Sequence, residues 1–360
     1  MQTMSRIDWS SVDWRKPVRQ IAEELSCTRQ AVYLAQARRW GGPEKATKQA
    51  PAPRRSATSL KLTAIISFLL LFAAHNIQAW SGAGHQVIAA EAYRQLSPAL
   101  KAKVAEILKS HPEYEKWKAA FADASANVDP DAFIFMRAST WPDEIRRQKS
   151  DYNHPKWHYI DYPLKPPKFP VEPGPDPADD ILYGIGQCEK VLSNAEASAQ
   201  DRAAYLSWLI HLIGDEHMPL HCCSLFTSEY PTGDRGGNSF FIMPGTRGIP
   251  LHSFWDGLLG TSGKPQSHLN YAIMIEHEHP RNSLAELIKA KTPKDWSLES
   301  RGIAVEKAYL RGELKGGTSK ETAVELPQGY SKAAKVVAEK QAALAGYRLA
   351  NEIATWITLN

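Results

Sequence analysis

From Trp80 onward, apolar residues recur at the three-to-four-residue spacing of amphipathic helices. Val87, Ile88 and Ala90 lead into one helix that continues through Ala92 and Leu96, and a second covers residues 100–108. Residues 201–216 place Tyr205, Leu206, Leu209, Ile210 and Ile213 on one broad face, the stripe of a helix that faces a core. Residues 331–358 read as a long Ala-rich helix. Alternating stretches are scarce. Residues 239–243 (SFFIM) make the best strand candidate, after a turn signalled by residues 233–238. The Pro-rich segment 163–180 is expected to be a loop. The pattern predicts one mostly α domain over residues 80–360 with a short β-hairpin.

Residues 62–74 (LTAIISFLLLFAA) are uncharged, follow Arg54, Arg55 and Lys61, and lead to Ala79. A basic stretch, a short apolar stretch and a small residue form the pattern of a secretory signal peptide. The apolar run falls short of the ~20 residues of a membrane-spanning helix. Segment 54–79 is therefore read as a leader cut after Ala79, and the protein as secreted or periplasmic. An uncleaved anchor is the alternative, because Ile77 stands where a small residue is preferred. Ahead of it, residues 17–40 (PVRQIAEELSCTRQAVYLAQARRW) look like a helix-turn-helix within a small helical segment 1–40. Its basic second helix would enter a DNA major groove. A plain pair of helices, or translation starting farther downstream, is the competing explanation. Residues 41–59 form a flexible Pro/Ala/Lys linker.

Composition sharpens this division. The 360 residues are 43% hydrophobic and 23% charged, which excludes wholesale disorder. The net charge of +4 hides an asymmetry. Residues 1–79 hold 12 basic and 5 acidic side chains, whereas residues 80–360 hold 31 and 34. Four cysteines are too few for a disulfide scaffold.

The chemistry-bearing residues come in spaced pairs. His211 and Asp215 are four apart, as are His252 and Asp256, so each pair shares one helix face. His221 follows Met218 and Pro219, where the first helix should end. Upstream stand His85, Asp143 in TWPDEIRR and His158 in WHYID. Imidazole and carboxylate together are a ligand set for zinc. The apolar neighbours Ile210, Leu212, Ile213, Leu251, Phe254 and Trp255 place these groups inside. A buried polar group must be paired or metal-bound to offset its desolvation. His217, His268, His277 and His279 fall outside the pattern.

WSGAGH (80–85), TWPD (140–143), WHYID (157–161), HLIGDEHMPLH (211–221), GDRGGN (233–238), HSFWD (252–256) and AGYRLANEI (345–353) occur in that order. Together they resemble the S1/P1 nuclease family, over nearly all of residues 80–360. The resemblance implies the helical fold shared with zinc phospholipase C, a secreted hydrolase and three Zn2+ ions. One zinc would take Asp143, His158, His211 and Asp215. A second would take His85, Asp215 and the α-amino nitrogen and carbonyl oxygen of Trp80, and a third His221, His252 and Asp256. Cleavage after Ala79 would then be a chemical necessity, because an amide nitrogen is not a usable lone-pair donor. A hydroxide shared by two zincs, bridged by Asp215, would attack phosphorus, with Asp143 and Asp215 catalytic through the metals they hold. Arg146 would neutralise charge on the phosphoryl oxygens.

The implied substrates are single-stranded DNA or RNA and 3′-nucleotides, yielding 5′-phosphorylated products or nucleosides. Tyr159 would stack a base and Asp161 accept hydrogen bonds from its edge, although Tyr159 also reads as a core aromatic. Asn238 would help fix phosphate or a metal-bound group, or be a plain turn residue. No stable protein partner is expected, and the chain is read as a monomer. Adjacent Cys222 and Cys223 are poorly placed to join each other. A bridge from Cys188 to one of them is therefore expected, with a buried structural thiol as the alternative.

One other enzyme reading, one regulatory reading and one reading without catalysis remain open. A zinc phospholipase C would have more residues between the terminal Trp and its first His, and Glu at position 256. A membrane-tethered DNA-binding regulator would retain residues 1–79. A zinc-binding domain without catalysis would hold the same ions.

Overall fold

The computed structural model describes Gln20, Glu24 and residues 80–124, 128–167, 169 and 175–357. The chain divides into two compact units, Met1–His75 and Asn76–Asn360. In the first, Gln20 Nε2 donates to Glu24 Oε1 at 3.0 Å, one helical turn away. The rest of the helix-turn-helix reading and the whole 54–79 leader lie outside the described residues. No helix among the described residues is long and apolar enough to cross a membrane.

The second unit is mostly helical. Its helices are α1 (Gly82–Gln95), α2 (Pro98–Leu108), α3 (Tyr114–Ala124), α4 (Pro130–Ala138), α5 (Trp141–Ile145), α6 (Ile181–Ser193) and α7 (Ala199–Glu216). After these come α8 (Leu251–Asp256), α9 (Pro265–Glu278), α10 (Glu286–Lys289), α11 (Pro293–Ile303) and α12 (Tyr330–Trp356). Short polar residues start α1, α2, α4, α6, α7 and α11, where they serve backbone donors without helical partners. Ser81, Ser97, Asp129, Asp180 and Ser198 each accept from a first-turn N–H. Thr292 and Asp295 form a reciprocal capping box, with Pro293 in the first turn. Residues 277–278 form the end of α9.

Helix α7 is buried on every side from Leu206 to Glu216, which marks it as a central rather than a surface helix. It ends at Glu216, and Pro219–Cys222 turn into a 3₁₀ helix. The strands are short. β1 (Pro163–Leu164) pairs in parallel with β2 (Ser224–Leu225), so the expected 163–180 loop begins as a strand. β3 (Phe241–Met243) forms the expected hairpin with β4 (Ile249–Pro250), in register Phe241↔Pro250. β5 (Val324–Glu325) adds to the other side of β3 in parallel.

Two apolar cores meet along α1. Ala89, Ala90 and Ala92 belong to one, and Val87 and Ile88 to the other. Small residues let α12 approach α1 closely. A Cβ added to Gly346 would lie 2.5 Å from Glu91 Cγ and 2.8 Å from Glu91 Cβ. Glu91 is thereby buried, and desolvation pushes its carboxyl up to about 8 despite nearby Arg94.

The expected disulfide is not formed. Cys188, Cys222 and Cys223 are all buried free thiols. Cys222 enters the first core with Cys188, whereas extended Cys223 faces the second. The Cys222 Sγ–H donates to the Glu216 carbonyl at 3.4 Å.

Gly346→Ala should cost about 1–3 kcal/mol, because neither helix can retreat without opening its core. A thermal midpoint equal to that of the parent protein would disprove the close approach. Glu91 binds its proton more tightly in the folded state than the unfolded value near 4.5 allows. Folded-state stability therefore declines as pH rises from about 4.5 to 8. Glu91→Gln removes that slope. Its advantage in thermal midpoint over the parent should be negligible at pH 4 and reach several degrees at pH 8.

Candidate metal centre

The polar residues singled out from the sequence converge between α1, α5, α7, α8 and the 3₁₀ turn after α7. Helix α7 carries His211 and Asp215 on one face, and the His211 Nε2 to Asp215 Oδ2 distance is 3.0 Å. The segment after α5 brings His158 to the same carboxylate oxygen, Nδ1 to Oδ2 3.0 Å. His211 Nε2 and His158 Nδ1 are 2.9 Å apart. Asp143 Oδ1 lies 3.8 Å from His158 Nδ1 and 3.9 Å from His211 Nε2. Donors about 2.0–2.2 Å from a common tetrahedral centre are roughly 3.3–3.6 Å apart. The measured separations bracket that range.

The other carboxylate oxygen of Asp215 points elsewhere. Its Oδ1 is 3.1 Å from His85 Nε2, and the His85 and His211 rings stack at 4.0 Å. Asp215 thus faces two donor groups, one through each oxygen. Trp80 is wholly buried beside them, and its indole Nε1 donates to the Gly214 carbonyl at 2.9 Å. A side chain at Gly214 would strike His85 Nδ1, and one at Gly84 would strike Trp80 Cβ.

The third group is His221, His252 and Asp256. The two Nε2 atoms are 3.2 Å apart, and His252 Nε2 is 3.6 Å from Asp256 Oδ2. Backbone carbonyls fix these rings. His221 Nδ1 bonds to the His158 carbonyl, and His252 Nδ1 donates to Gly236 O at 2.7 Å. His211 Nδ1 donates in the same way to Ser139 O at 2.7 Å. A carbonyl only accepts, so each Nδ1 must carry the proton. The neutral imidazole then presents a bare lone pair at Nε2. Two bare lone pairs facing each other across 3.2 Å in a buried site repel unless a cation lies between them. These carbonyls also orient the ligands as outer-shell partners commonly do.

Electrostatics agree with the donor chemistry. Burial drives His85 down to about 4 and His252 to about 3, and lowers His158 and His221. Their rings are therefore neutral and able to ligate at neutral pH. Burial also pushes Asp143 up to about 6 and Asp256 well above the carboxylate range. His211 and Asp215 are the exceptions. Each is buried too, but mutual attraction outweighs desolvation, raising His211 and lowering Asp215. Among the described residues, His85 Nδ1 and Nε2, Asp143 Oδ1, Asp215 Oδ1 and Asp256 Oδ1 are buried without a hydrogen-bond partner. Three groups, His85–His211–Asp215, Asp143–His158–His211 and His221–His252–Asp256, each bring their ligand atoms within 4.8 Å of one another. The residues present fit a set of N/O-bound metal ions.

The rim holds the remaining expected residues. Arg146 Nη1 is 3.5 Å from Asp143 Oδ1. Tyr159 exposes 36% of its surface and is not a core aromatic. Asp161 is half-buried, and burial with Asp234 nearby raises it to about 6. Asn238 Nδ2 donates to the Arg235 carbonyl at 2.8 Å, closing its own turn.

Two supports went unread in the sequence. Asp234 is fully buried and accepts from Leu225 N at 2.9 Å, Ser224 Oγ at 3.2 Å and Tyr309 Oη at 2.7 Å. It anchors the turn that offers Gly236 O to His252. Arg348 Nη1 donates to His217 Nε2 at 2.8 Å, and both its Nη atoms reach Glu299 at 3.0 Å. This locks the end of α7 to α12. A lone arginine inside an Ala-rich apolar helix was the signal available for it.

The protein should bind Zn2+ and lose stability on chelation. An ion present at 1,000 times its Kd contributes about 4 kcal/mol, so excess chelator should lower the thermal midpoint by several degrees. His252→Ala should bind about one ion fewer than the parent by metal analysis. Absence of metal uptake by folded protein would refute the site.

Comparison with known proteins matches the geometry. The family model described as S1/P1 Nuclease matches residues 80–358. Endonuclease 4 of Arabidopsis thaliana is 29% identical over 157 residues, covering 40% of this chain and 48% of that protein. The chain thus spans about half the length of this curated relative. Every donor group described above lies within the matched segment, and the chain belongs to the S1/P1 nuclease family.

Proposed function

We propose that the chain hydrolyses phosphodiester bonds of single-stranded nucleic acid, and the phosphate ester of 3′-nucleotides, with three zinc ions as cofactors. The observation that carries this reading is the meeting of three buried His/Asp groups, two of them joined through Asp215. Asp143, His158, His211 and Asp215 would hold one ion. His85, Asp215 and the main chain of Trp80 would hold a second, and His221, His252 and Asp256 a third. Bound there, the ions supply Lewis-acid polarisation of water and of phosphoryl oxygens.

The protein's own groups bind and orient the ester. Arg146 is placed beside Asp143 to neutralise charge on the phosphoryl oxygens. The exposed ring of Tyr159 offers a stacking face, a contact worth ~1–3 kcal/mol per base and tolerant of sequence. Stacking needs a base released from a duplex, which favours single strands. Asp161 sits two residues on to accept hydrogen bonds from the base edge. Asn238 acts through the turn it closes. The bond broken is P–O3′, leaving 5′-phosphorylated products or a nucleoside and phosphate.

Cleavage after Ala79 would free the Trp80 amine as a ligand and yield a secreted or periplasmic monomer. N-terminal sequencing of the exported protein should begin at Trp80.

Asp215→Asn should lower kcat on single-stranded DNA by at least about 10³-fold, or ~4 kcal/mol. Loss of one carboxylate there disturbs two donor groups at once. Unchanged turnover in that variant, or parent protein that hydrolyses only phosphatidylcholine, would overturn the proposal. The second outcome is that of a phospholipase C.

A further inference from the structure

The turn at residues 233–238 contains a cation that the metal centre does not use. Arg235 adopts a left-handed backbone, φ 59°, followed by Gly236 and Gly237 at φ 62° and 82°. Such a run is uncommon for a residue with a side chain. Here it is fixed from all sides. Arg235 N donates to Ser224 Oγ at 3.1 Å, and Arg235 O accepts from Asn238 N at 3.2 Å and Nδ2 at 2.8 Å. Gly236 packs against the Leu220 carbonyl, and Gly237 against the backbone of His252, with no room for a Cβ at the first. The backbone of Arg235 is therefore held immediately beside the His221–His252–Asp256 group.

The same group adjoins the aromatic rim. Ile160 N donates to the His221 carbonyl at 2.8 Å, and this sets Tyr159 and Asp161 on either side of that anchor. The charge of Arg235 acts on both Tyr159 and Asp161, from a turn whose next carbonyl is tied to His252. Arg235 is exposed and, among the described residues, has no salt-bridge or side-chain hydrogen-bond partner. Of the two other cations acting on Tyr159, Arg146 lies 3.5 Å from Asp143, and Lys156 is engaged by Asp179 at 3.2 Å and Asp176 at 3.8 Å. A fixed backbone carrying an uncommitted guanidinium beside an aromatic platform suits the bidentate capture of a phosphate.

We propose that Arg235 binds the 5′-phosphate of the nucleoside seated on Tyr159, one phosphate removed from the bond that is cut. This makes a polynucleotide strand a better substrate than a 3′-mononucleotide, which lacks that phosphate. The inference rests on the nucleic-acid reading of the site.

The exported protein, purified with zinc, would be tested on TpT, on its 5′-phosphorylated form pTpT and on thymidine 3′-phosphate. Equilibrium binding of the two dinucleotides, with a phosphorothioate at the internal linkage to slow turnover, would be measured alongside. The parent should favour pTpT over TpT by about tenfold in both kcat/KM and Kd. Arg235→Gln should erase that preference, through KM rather than kcat, and leave TpT and thymidine 3′-phosphate unchanged. Arg235→Lys should restore part of it. A parent without the preference, a glutamine variant that keeps it, or equal loss on all three substrates would overturn the proposal. Should the parent bind with this preference but cleave nothing, the hydrolytic reading fails and the phosphate contact stands. Binding of neither dinucleotide would sink both.

Discussion

The structure is organised around buried lone pairs that face one another. His221 and His252 each commit Nδ1 to a backbone carbonyl, leaving two bare Nε2 atoms 3.2 Å apart. His211 does the same with Ser139 and turns its Nε2 toward Asp215 and His158. No hydrogen bond reconciles the His221–His252 pair, because neither side can donate. A cation does. The surrounding helices are arranged to enforce this opposition rather than relieve it. Asp215 is drawn on from both oxygens, Trp80 is buried behind it, and glycines at 84 and 214 stand where any side chain would collide.

Rigidity of that kind has to come from outside the ligand set. The last turn of α7 carries Asp215, Glu216 and His217 in three directions. Asp215 faces the donor groups, and the Glu216 carbonyl takes the Cys222 thiol. His217 accepts from Arg348, while Gln341 donates to its carbonyl at 3.2 Å. Helix α12 therefore both covers α1 through its small residues and grips the end of α7 through two long polar ones. Buried arginine is tolerable there because Glu299, the Glu286 carbonyl and His217 engage both its terminal nitrogens.

Much of this was legible in the sequence because helix geometry is local. A four-residue spacing alone places His211 and Asp215, and again His252 and Asp256, on common faces. Helices α1, α2, α7 and α12 follow from periodicity, and the end of α7 from Pro219. What could not be read depends on which surfaces meet. Cys222 ends the 3₁₀ turn and Cys223 is the extended residue after it, and their side chains enter different cores. That choice, rather than their number, left the thiols unpaired. Asp234 looked like an ordinary turn residue until Leu225, Ser224 and Tyr309 converged on it from remote parts of the chain. The exposed ring of Tyr159 could equally have been core, since aromatic character does not reveal which side of a loop faces solvent.

The turn at 233–238 shows why these long-range supports belong to function as much as to stability. A left-handed arginine stores strain, of order 1–3 kcal/mol, and a single local hydrogen bond would not hold it. Asp234 supplies the restraint from below, and the contact of Gly236 with the Leu220 carbonyl supplies it from the side. Gly236 O then aims His252, and the exposed Arg235 immediately precedes Gly236 in the same turn. One backbone segment thus sets both the direction of a metal donor and the position of a cation outside it. A change in the turn would move both together. The spacing between the His252 donor and the Arg235 backbone is therefore fixed by covalent geometry across one peptide unit, not by the flexibility of two independent loops.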